Sequence, residues 1–269
     1  KKLIEKNIIK QYTGDYKSEF KEYYQDRAEN MVYLAENENF IFDELIFGYL
    51  NRLKNKIDKA NPSVDLSSVQ IVISRNSWPN AFSVGDGTIA FHVAIFPFFD
   101  NEDQFVYIMC HEIAHYLLNH SDNKLKNSLD LENSKAYKKE VKKIKKSTFN
   151  QYTQAKELLT NNLYSQRSHS RENEIEADTY GLELYLNTSY NPNESMGALE
   201  KLGEMNHPID TTEIPIFDLL ETGIIPNPNL DNIVIENEDL IDEEKKLLTH
   251  PIVEKRLKNL ELILIVDGV

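Results

Sequence analysis

Cysteine is nearly absent from this sequence, since Cys110 is the single one among 269 residues. An internal disulfide and a zinc site built from a cysteine cluster are therefore both excluded. A chain without disulfides fits the cytosol and is also compatible with a periplasm or cell envelope. The chain begins Lys1-Lys2-Leu3 without methionine, so we expect that an N-terminal segment has been removed. The compartment stays open between the periplasm or cell envelope and the cytoplasm.

Long hydrophobic runs are also lacking. The longest stretch without Asp, Glu, Lys or Arg is Gly87–Phe99, which has 13 residues. A membrane-spanning helix needs about 20 apolar residues, so the sequence predicts no transmembrane segment. Hydrophobic residues nonetheless make up 41% of the chain, which is enough for a core. With no sharp break in composition, we expect a single domain over residues 1–269.

Positive charge is scarce, because 30 Lys and Arg face 44 Asp and Glu and leave a net charge of −14. Nucleic acid and anionic lipid both need a positive face, so binding to either is not expected. The exception is a polar insertion at 121–170, in which seven lysines lie between Lys135 and Lys146. A solvated helix face is the favoured interpretation, and a basic lid or docking arm for an acidic partner is the alternative.

Hydrophobic periodicity predicts a mainly helical α+β fold with a small sheet. The expected elements are two helices within 15–60, strands at Val69–Ser74 and Thr88–Phe96, a turn-rich connection at Asn76–Gly85, helices at Glu102–His120, Glu172–Leu186, Glu194–Met205 and Pro251–Leu262, and a proline-rich loop at 207–235. The sheet is expected beside the helix that begins at Glu102.

The string His111-Glu112-Ile113-Ala114-His115 carries the main chemical signal. Two histidines four residues apart on a helix lie about 40° apart around its axis, so both imidazoles can bind one metal ion. Glu112 lies beside that face, where it can polarise a water molecule on the metal. Such a short motif also arises by chance, and a catalytic zinc site needs a third protein ligand.

The remaining histidines do not supply an obvious third ligand. His120 is expected on the opposite face of the same helix, as a helix cap or a hydrogen-bonded structural residue. His92 lies in a predicted strand and His169 in a polar stretch, and neither has a partner at ligand spacing.

A pair of carboxylates in the segment 170–181 is the better candidate. Glu174 and Asp178 are four residues apart and share a helix face, whereas Glu172 and Glu176 point elsewhere. One carboxylate can bind zinc, and the other can accept a hydrogen bond from the outer nitrogen of a ligand histidine. A solvated acidic helix face is the alternative interpretation of the same pattern.

Together these motifs resemble the gluzincin family that contains HtpX and the type I CAAX prenyl proteases. Further segments resemble family elements in the same order, from residue 80 to residue 256: Asn80-Ala81-Phe82 with Gly85–Phe91, Ser189–Pro192 with Ala198 and Lys201-Leu202, and Thr249-His250-Pro251 with Arg256. The resemblance implies a zincin-like metallopeptidase domain.

The resemblance also implies roles for individual residues. It makes His111, His115 and Glu174 the ligands of one zinc ion per chain and Glu112 the general base. Asp178 would orient His111. His250 would stabilise the transition state, although it can equally cap the last helix. Arg171 and Arg256 match arginines of the family pattern and are expected to form structural ion pairs.

The chain departs from HtpX and the prenyl proteases because it has no predicted transmembrane helix, so prenylated substrates are not supported. We expect a zinc-dependent endopeptidase that hydrolyses a peptide or unfolded protein. The substrate is expected to lie extended along the edge of the strand near Gly87–Phe91. The residues assigned to this substrate site are Asn80, Ala81 and Phe82, from the segment that leads to the strand, and Gly87, Thr88, Ile89, Ala90 and Phe91. The alternatives are a binding or chaperone-like protein that keeps the zinc fold and a self-inhibited peptidase.

Overall fold

The computed structural model describes residues 15–77, 79–205 and 253–267, without the side chains of 163–169, 204–205 and 267. The described residues form helices α1 (Lys17–Glu36), α2 (Glu44–Ala60), α3 (Glu102–Leu117), α4 (His120–Asn133), α5 (Lys135–Lys146), α6 (Gln151–Leu186), α7 (Glu194–Met205) and α8 (Val253–Asp267), strands β1 (Gln70–Ser74), β2 (Ala81–Ser83) and β3 (Thr88–His92), and a 3-10 helix at Val93–Phe98. The predicted mainly helical architecture with a small sheet is confirmed. No helix within these ranges is both long enough and apolar enough to cross a bilayer. The side chain of His169, His250 and the predicted loop 207–235 lie outside the described residues.

The chain divides into two compact units. Among the described residues, the first comprises 15–125, 173–205 and 253–267, and the second comprises 126–172. The described part of the second unit nearly coincides with the insertion predicted at 121–170. Its lysine-rich helix α5 buries Ile144 against Ala155. The single domain predicted over 1–269 stays a prediction.

The sheet has the strand order β1-β3-β2. Strand β3 runs parallel to β1, with Gln70 opposite Thr88, and antiparallel to β2, with Ala81 opposite Phe91. Periodicity did not predict β2, because three residues within a turn-rich connection are too few to show alternation. Strand β3 ends at His92, and the chain continues as a 3-10 helix instead of extending to Phe96.

The topology corrects the predicted substrate strand. Residues Thr88–Phe91 belong to the central strand, whose two sides are already paired with β1 and β2, so they offer no edge to a peptide. Gly87 is a turn residue with φ of +96°, and a Cβ atom there would lie 2.3 Å from the Ser68 carbonyl oxygen. Within the described residues, strand pairing occupies only one side of β2.

Helix α3 forms the centre of the core. Asn101 caps its start, because the side-chain oxygen accepts a hydrogen bond from the Gln104 backbone N–H at 3.0 Å. Every residue from Gln104 to Ala114 is buried, so all faces of this part of the helix are covered. The helix packs against β2, β3 and α7. It therefore positions the motif histidines inside the protein, close to the sheet.

Helix α3 ends at Leu117, before the predicted end at His120. Asn119 has φ of 55°, the left-handed conformation that asparagine tolerates better than most residues. The Leu118 N–H still bonds back to the Ala114 carbonyl, and the Asn119 N–H bonds to the Tyr116 carbonyl. His120 thus begins a new helix, and its direction no longer follows from the periodicity of α3.

Candidate metal centre

Three donor side chains from two helices meet at one point in the first unit. His111 and His115 lie one turn apart on α3, and Glu174 lies on α6. The two Nε2 atoms are 3.1 Å apart. Glu174 places Oε2 3.6 Å from His111 Nε2 and Oε1 3.4 Å from His115 Nε2. The three ligands that the family resemblance implied are therefore gathered by the fold, and their ligand role stays a prediction.

The spacing of these donors fits a tetrahedral zinc site. Ligand atoms about 2.0–2.1 Å from zinc at tetrahedral angles lie about 3.3 Å from one another. The two Nε2 atoms are 3.1 Å apart, and each lies near a different Glu174 oxygen, at 3.6 Å from Oε2 for His111 and at 3.4 Å from Oε1 for His115. One ligand atom from each of the three residues lies within 4.8 Å of the other two. Two imidazoles and one carboxylate also form a ligand set that catalytic zinc sites use. The residues present thus suit the metal that the family resemblance implied.

The site is buried and rich in carboxylate charge. Side-chain exposure is 3% for His111, 8% for Glu174 and 16% for His115. Burial opposes the charged form of His111, yet contacts with Asp178 and Glu174 outweigh it and raise its pKa to about 10. Burial, together with the neighbouring His111, lowers the pKa of His115 to about 3. The carboxylates of Asp178 and Glu174 therefore favour positive charge at the His111 ring.

Asp178 lies directly behind His111. Its Oδ1 atom is 3.0 Å from His111 Nδ1, within hydrogen-bonding distance of the ring nitrogen that faces away from Glu174. A carboxylate at this position holds the imidazole in the tautomer that presents Nε2 to a metal. Arg256 on α8 donates to both oxygens of Asp178, from Nε at 2.7 Å and from Nη2 at 2.6 Å. Burial raises the pKa of Asp178, but Arg256 and His111 outweigh it, so the net pKa lies below its usual value.

Arg256 connects both carboxylates of the site. Besides its two bonds to Asp178, its Nη1 atom lies 3.5 Å from Glu174 Oε2. Only 1% of the residue is exposed. The sequence predicted an ion-pairing arginine here but gave it no connection to the metal ligands, because Asp178 lies 78 residues and Glu174 lies 82 residues away in the chain. In the sequence, the one sign that Arg256 belongs to the site was its position in the segment that resembles a family element.

Gly181 allows α6 to approach the motif helix. A Cβ atom at this position would lie 2.8 Å from His111 Cα and 2.9 Å from His111 N. Such distances leave no room for a side chain, so α6 packs directly on the backbone of α3. The close approach brings Glu174 and Asp178, two turns and one turn before Gly181, within reach of His111. The glycine of the segment 170–181 therefore has a packing role.

Replacing Arg256 with methionine is expected to lower the free energy of unfolding by about 3–5 kcal/mol, because removing one partner of a buried ion pair leaves the other charge uncompensated. Asp178 would then be a carboxylate with 0% exposure and His111 as its remaining charged contact. Urea denaturation of the metal-free protein measures the change. Lys255→Met on the same helix is the matched control, since Lys255 is exposed. Equal losses in the two variants would contradict the expectation.

Three further residues considered in the sequence analysis, Glu112, His92 and Asn80, are not among the three donors. Glu112 is buried on α3, between the two histidines in sequence. His92 ends β3 and packs edge-on against Phe82, with ring centroids 5.7 Å apart. Asn80 accepts a backbone hydrogen bond from His92, at the start of β2. The roles predicted for Glu112 and Asn80 stay predictions.

His120 differs from its predicted orientation. It was expected on the far side of the helix, yet its Nδ1 atom lies 2.8 Å from His115 Nδ1. Its other nitrogen, Nε2, lies 3.3 Å from Glu176 Oε2. The helix break at Asn119 is the physical reason, because the expectation assumed that α3 continues through His120. An asparagine between the motif and His120 was the available signal for this break.

Comparison with known proteins places the chain in a family. The model of peptidase family M48 matches residues 50–263, so the chain belongs to that family. The match includes both helices that carry the three donors, and it confirms the resemblance drawn from the motifs. M48 metallopeptidases generally use zinc and act on peptides or proteins.

Part of the chain is similar to the beta-barrel assembly-enhancing protease of Yersinia pestis. The two sequences are 31% identical over 80 residues, which are 30% of this chain. The matched stretch covers 16% of the relative, so most of that protein has no counterpart in the comparison.

Proposed function

We propose that this protein is a zinc-dependent endopeptidase with one zinc ion per chain, held by His111, His115 and Glu174. The observation that carries the proposal is the donor cluster, in which all three ligand atoms lie within 4.8 Å of one another beside Glu112 of the motif. Membership of peptidase family M48 supports the same reaction class. The pair of Asp178 and Arg256 beside His111 supports it further, because both side chains are buried, whereas a solvated acidic face would leave them exposed.

The chemistry divides between the metal and the chain. When bound, zinc lowers the pKa of a water molecule to about 7 and polarises a carbonyl group. Glu112 acts as the general base that takes a proton from the attacking water. It then returns that proton to the leaving amine, because a carboxyl group that has taken up a proton as a base can next donate it as an acid. Asp178 keeps His111 in its binding tautomer throughout.

The outer side of β2 is the proposed substrate edge. Among the described residues, Ala81–Ser83 form an edge strand that packs against α3, the helix that carries the motif. An extended peptide can add to such an edge through backbone hydrogen bonds. This proposal retains Asn80, Ala81 and Phe82 from the sequence prediction and moves the contact away from β3. An edge that binds backbone suits peptides and unfolded proteins as substrates.

Two further parts of the proposal rest on the family resemblance. The chain is proposed to have a zincin-like fold, in which the motif helix lies beside the small sheet. His250 is proposed to donate a hydrogen bond to the oxyanion that develops during hydrolysis, as such donors lower the barrier of acyl transfer.

Metal removal tests the proposed function. Purified protein should contain one zinc ion per chain and cleave internal bonds of a peptide library. A chelator should abolish cleavage, and stoichiometric zinc should restore it, because the three donors leave a coordination position for water. Zinc content and the masses of the cleavage products are the two measurements. Full zinc content without any cleavage would favour the binding-protein alternative, and a protein that takes up no zinc would contradict the proposal.

A further inference from the structure

The outer nitrogen of His115 meets a histidine, which is an unusual partner for a metal ligand. Such nitrogens almost always face a carboxylate, a backbone carbonyl or water. His111 follows this pattern through Asp178. His115 instead places Nδ1 2.8 Å from His120 Nδ1, and the two rings are nearly perpendicular, at 76°.

The surroundings of His120 indicate a defined position. The residue is 5% exposed, and its Nε2 atom lies 3.3 Å from Glu176 Oε2. The left-handed turn at Asn119 brings it back toward His115. Glu176 is two residues beyond Glu174 on α6, so α6 contributes a group to both sets, while His120 comes from the start of α4.

Metal binding permits one arrangement of protons along this chain of contacts. A metal on His115 Nε2 requires the lone pair of that atom, so the proton of the neutral ring lies on Nδ1. That N–H must then donate to His120 Nδ1, which has to be the unprotonated nitrogen. His120 consequently carries its proton on Nε2 and donates it to Glu176 Oε2. Every nitrogen is satisfied, and each ring is neutral.

From this geometry we propose that His120 is a positioning residue for the metal site, and that Glu176 in turn fixes its tautomer. The inference rests on the proposed function in that it takes His115 to be a zinc ligand. His120 holds the His115 ring at the angle that presents Nε2 to the metal, as Asp178 does for His111. The two ligand histidines are thus supported by different chemistry, a carboxylate paired with arginine for one and a histidine for the other.

Two substitutions of His120 separate positioning from packing. Leucine fills similar space but cannot accept a hydrogen bond. Asparagine places its amide oxygen where Nδ1 lies in histidine, so it keeps the acceptor for His115. His120→Leu should raise the zinc dissociation constant about 10–100-fold, the usual cost of losing an outer partner of a ligand. His120→Asn should stay near the wild-type value. Lys124→Leu, at an exposed position of α4, is the control and should bind zinc as wild type does.

The readouts are the zinc dissociation constant, from competition with a chelator, and the melting temperature of the metal-free protein. Equal zinc affinity of the leucine and asparagine variants would overturn the proposal, as would a lowered melting temperature with unchanged zinc affinity. Nitrogen-15 spectra of histidine-labelled, zinc-loaded wild type provide a test that needs no variant. They should show a protonated Nδ1 on His115 and a protonated Nε2 on His120, and the opposite tautomer of His120 would overturn it. Wild type that binds no zinc would instead contradict the proposed function.

Discussion

Glu112→Gln protein is expected to keep its zinc and its fold while its kcat for peptide hydrolysis falls by about 10²–10⁴-fold, the usual contribution of general acid–base catalysis. Glutamine has the shape of glutamate and can occupy the same buried position, which is 7% exposed in the native protein. Its amide cannot take a proton from water at neutral pH. An internally quenched peptide chosen from the library products measures kcat, and elemental analysis measures zinc.

Glu183→Gln is the matched control for this substitution. Glu183 is an exposed residue of α6, so the same chemical change there should leave kcat and zinc content unaltered. Turnover of Glu112→Gln at the wild-type rate would remove Glu112 from the mechanism. Loss of zinc from the variant would mean that Glu112 acts through the metal site's structure rather than as a base.

Glu174→Ala is expected to weaken zinc binding more than any substitution outside the ligand set. Losing a partner behind a ligand costs about 10–100-fold in metal affinity, and losing one of three ligands should exceed that range. The carboxylate also faces Arg256 at 3.5 Å, so its removal leaves that guanidinium with Asp178 as its remaining carboxylate. The zinc dissociation constant of the variant, from chelator competition, tests the expectation.

The control is Glu183→Ala, which removes an exposed carboxylate from the same helix. It should bind zinc as wild type does, because Glu183 is exposed and is not one of the three donors. If Glu174→Ala retained full zinc affinity, the third ligand would be a different residue. If both variants lost zinc equally, the effect would come from α6 as a whole rather than from one ligand.

Much of the helical architecture was predictable because helix signals are local. The helix Glu194–Met205 has the predicted bounds, and α3 and α8 were predicted with errors at their ends. Strand β1 was predicted to within one residue, since its β-branched residues have no competing helical pattern. Strand β2 was missed because its pairing with β3, rather than its three-residue sequence, makes it a strand.

The long helix α6 shows another limit of local pattern. Its C-terminal part carries Glu174 and Asp178 and was predicted from Glu172 onward, whereas the helix begins at Gln151. The earlier residues are polar, with little apolar periodicity to indicate a helix. Without a clear apolar stripe, the N-terminal part of α6 could not be recognised as a helix from hydrophobic periodicity.

The sequence by itself determined the spacing of His111, Glu112 and His115, because helix geometry sets which side chains share a face over four residues. It also determined that Glu174 and Asp178 share a face of a second helix. Only the tertiary structure decided that these two faces meet, with Gly181 allowing contact between the helix backbones and Arg256 arriving from α8. It likewise brought His120 into contact with His115 and paired both sides of β3 with neighbouring strands. The physical reason is that hydrogen bonds and periodicity within a helix depend on nearby residues, whereas the distance between helices depends on packing across the whole core.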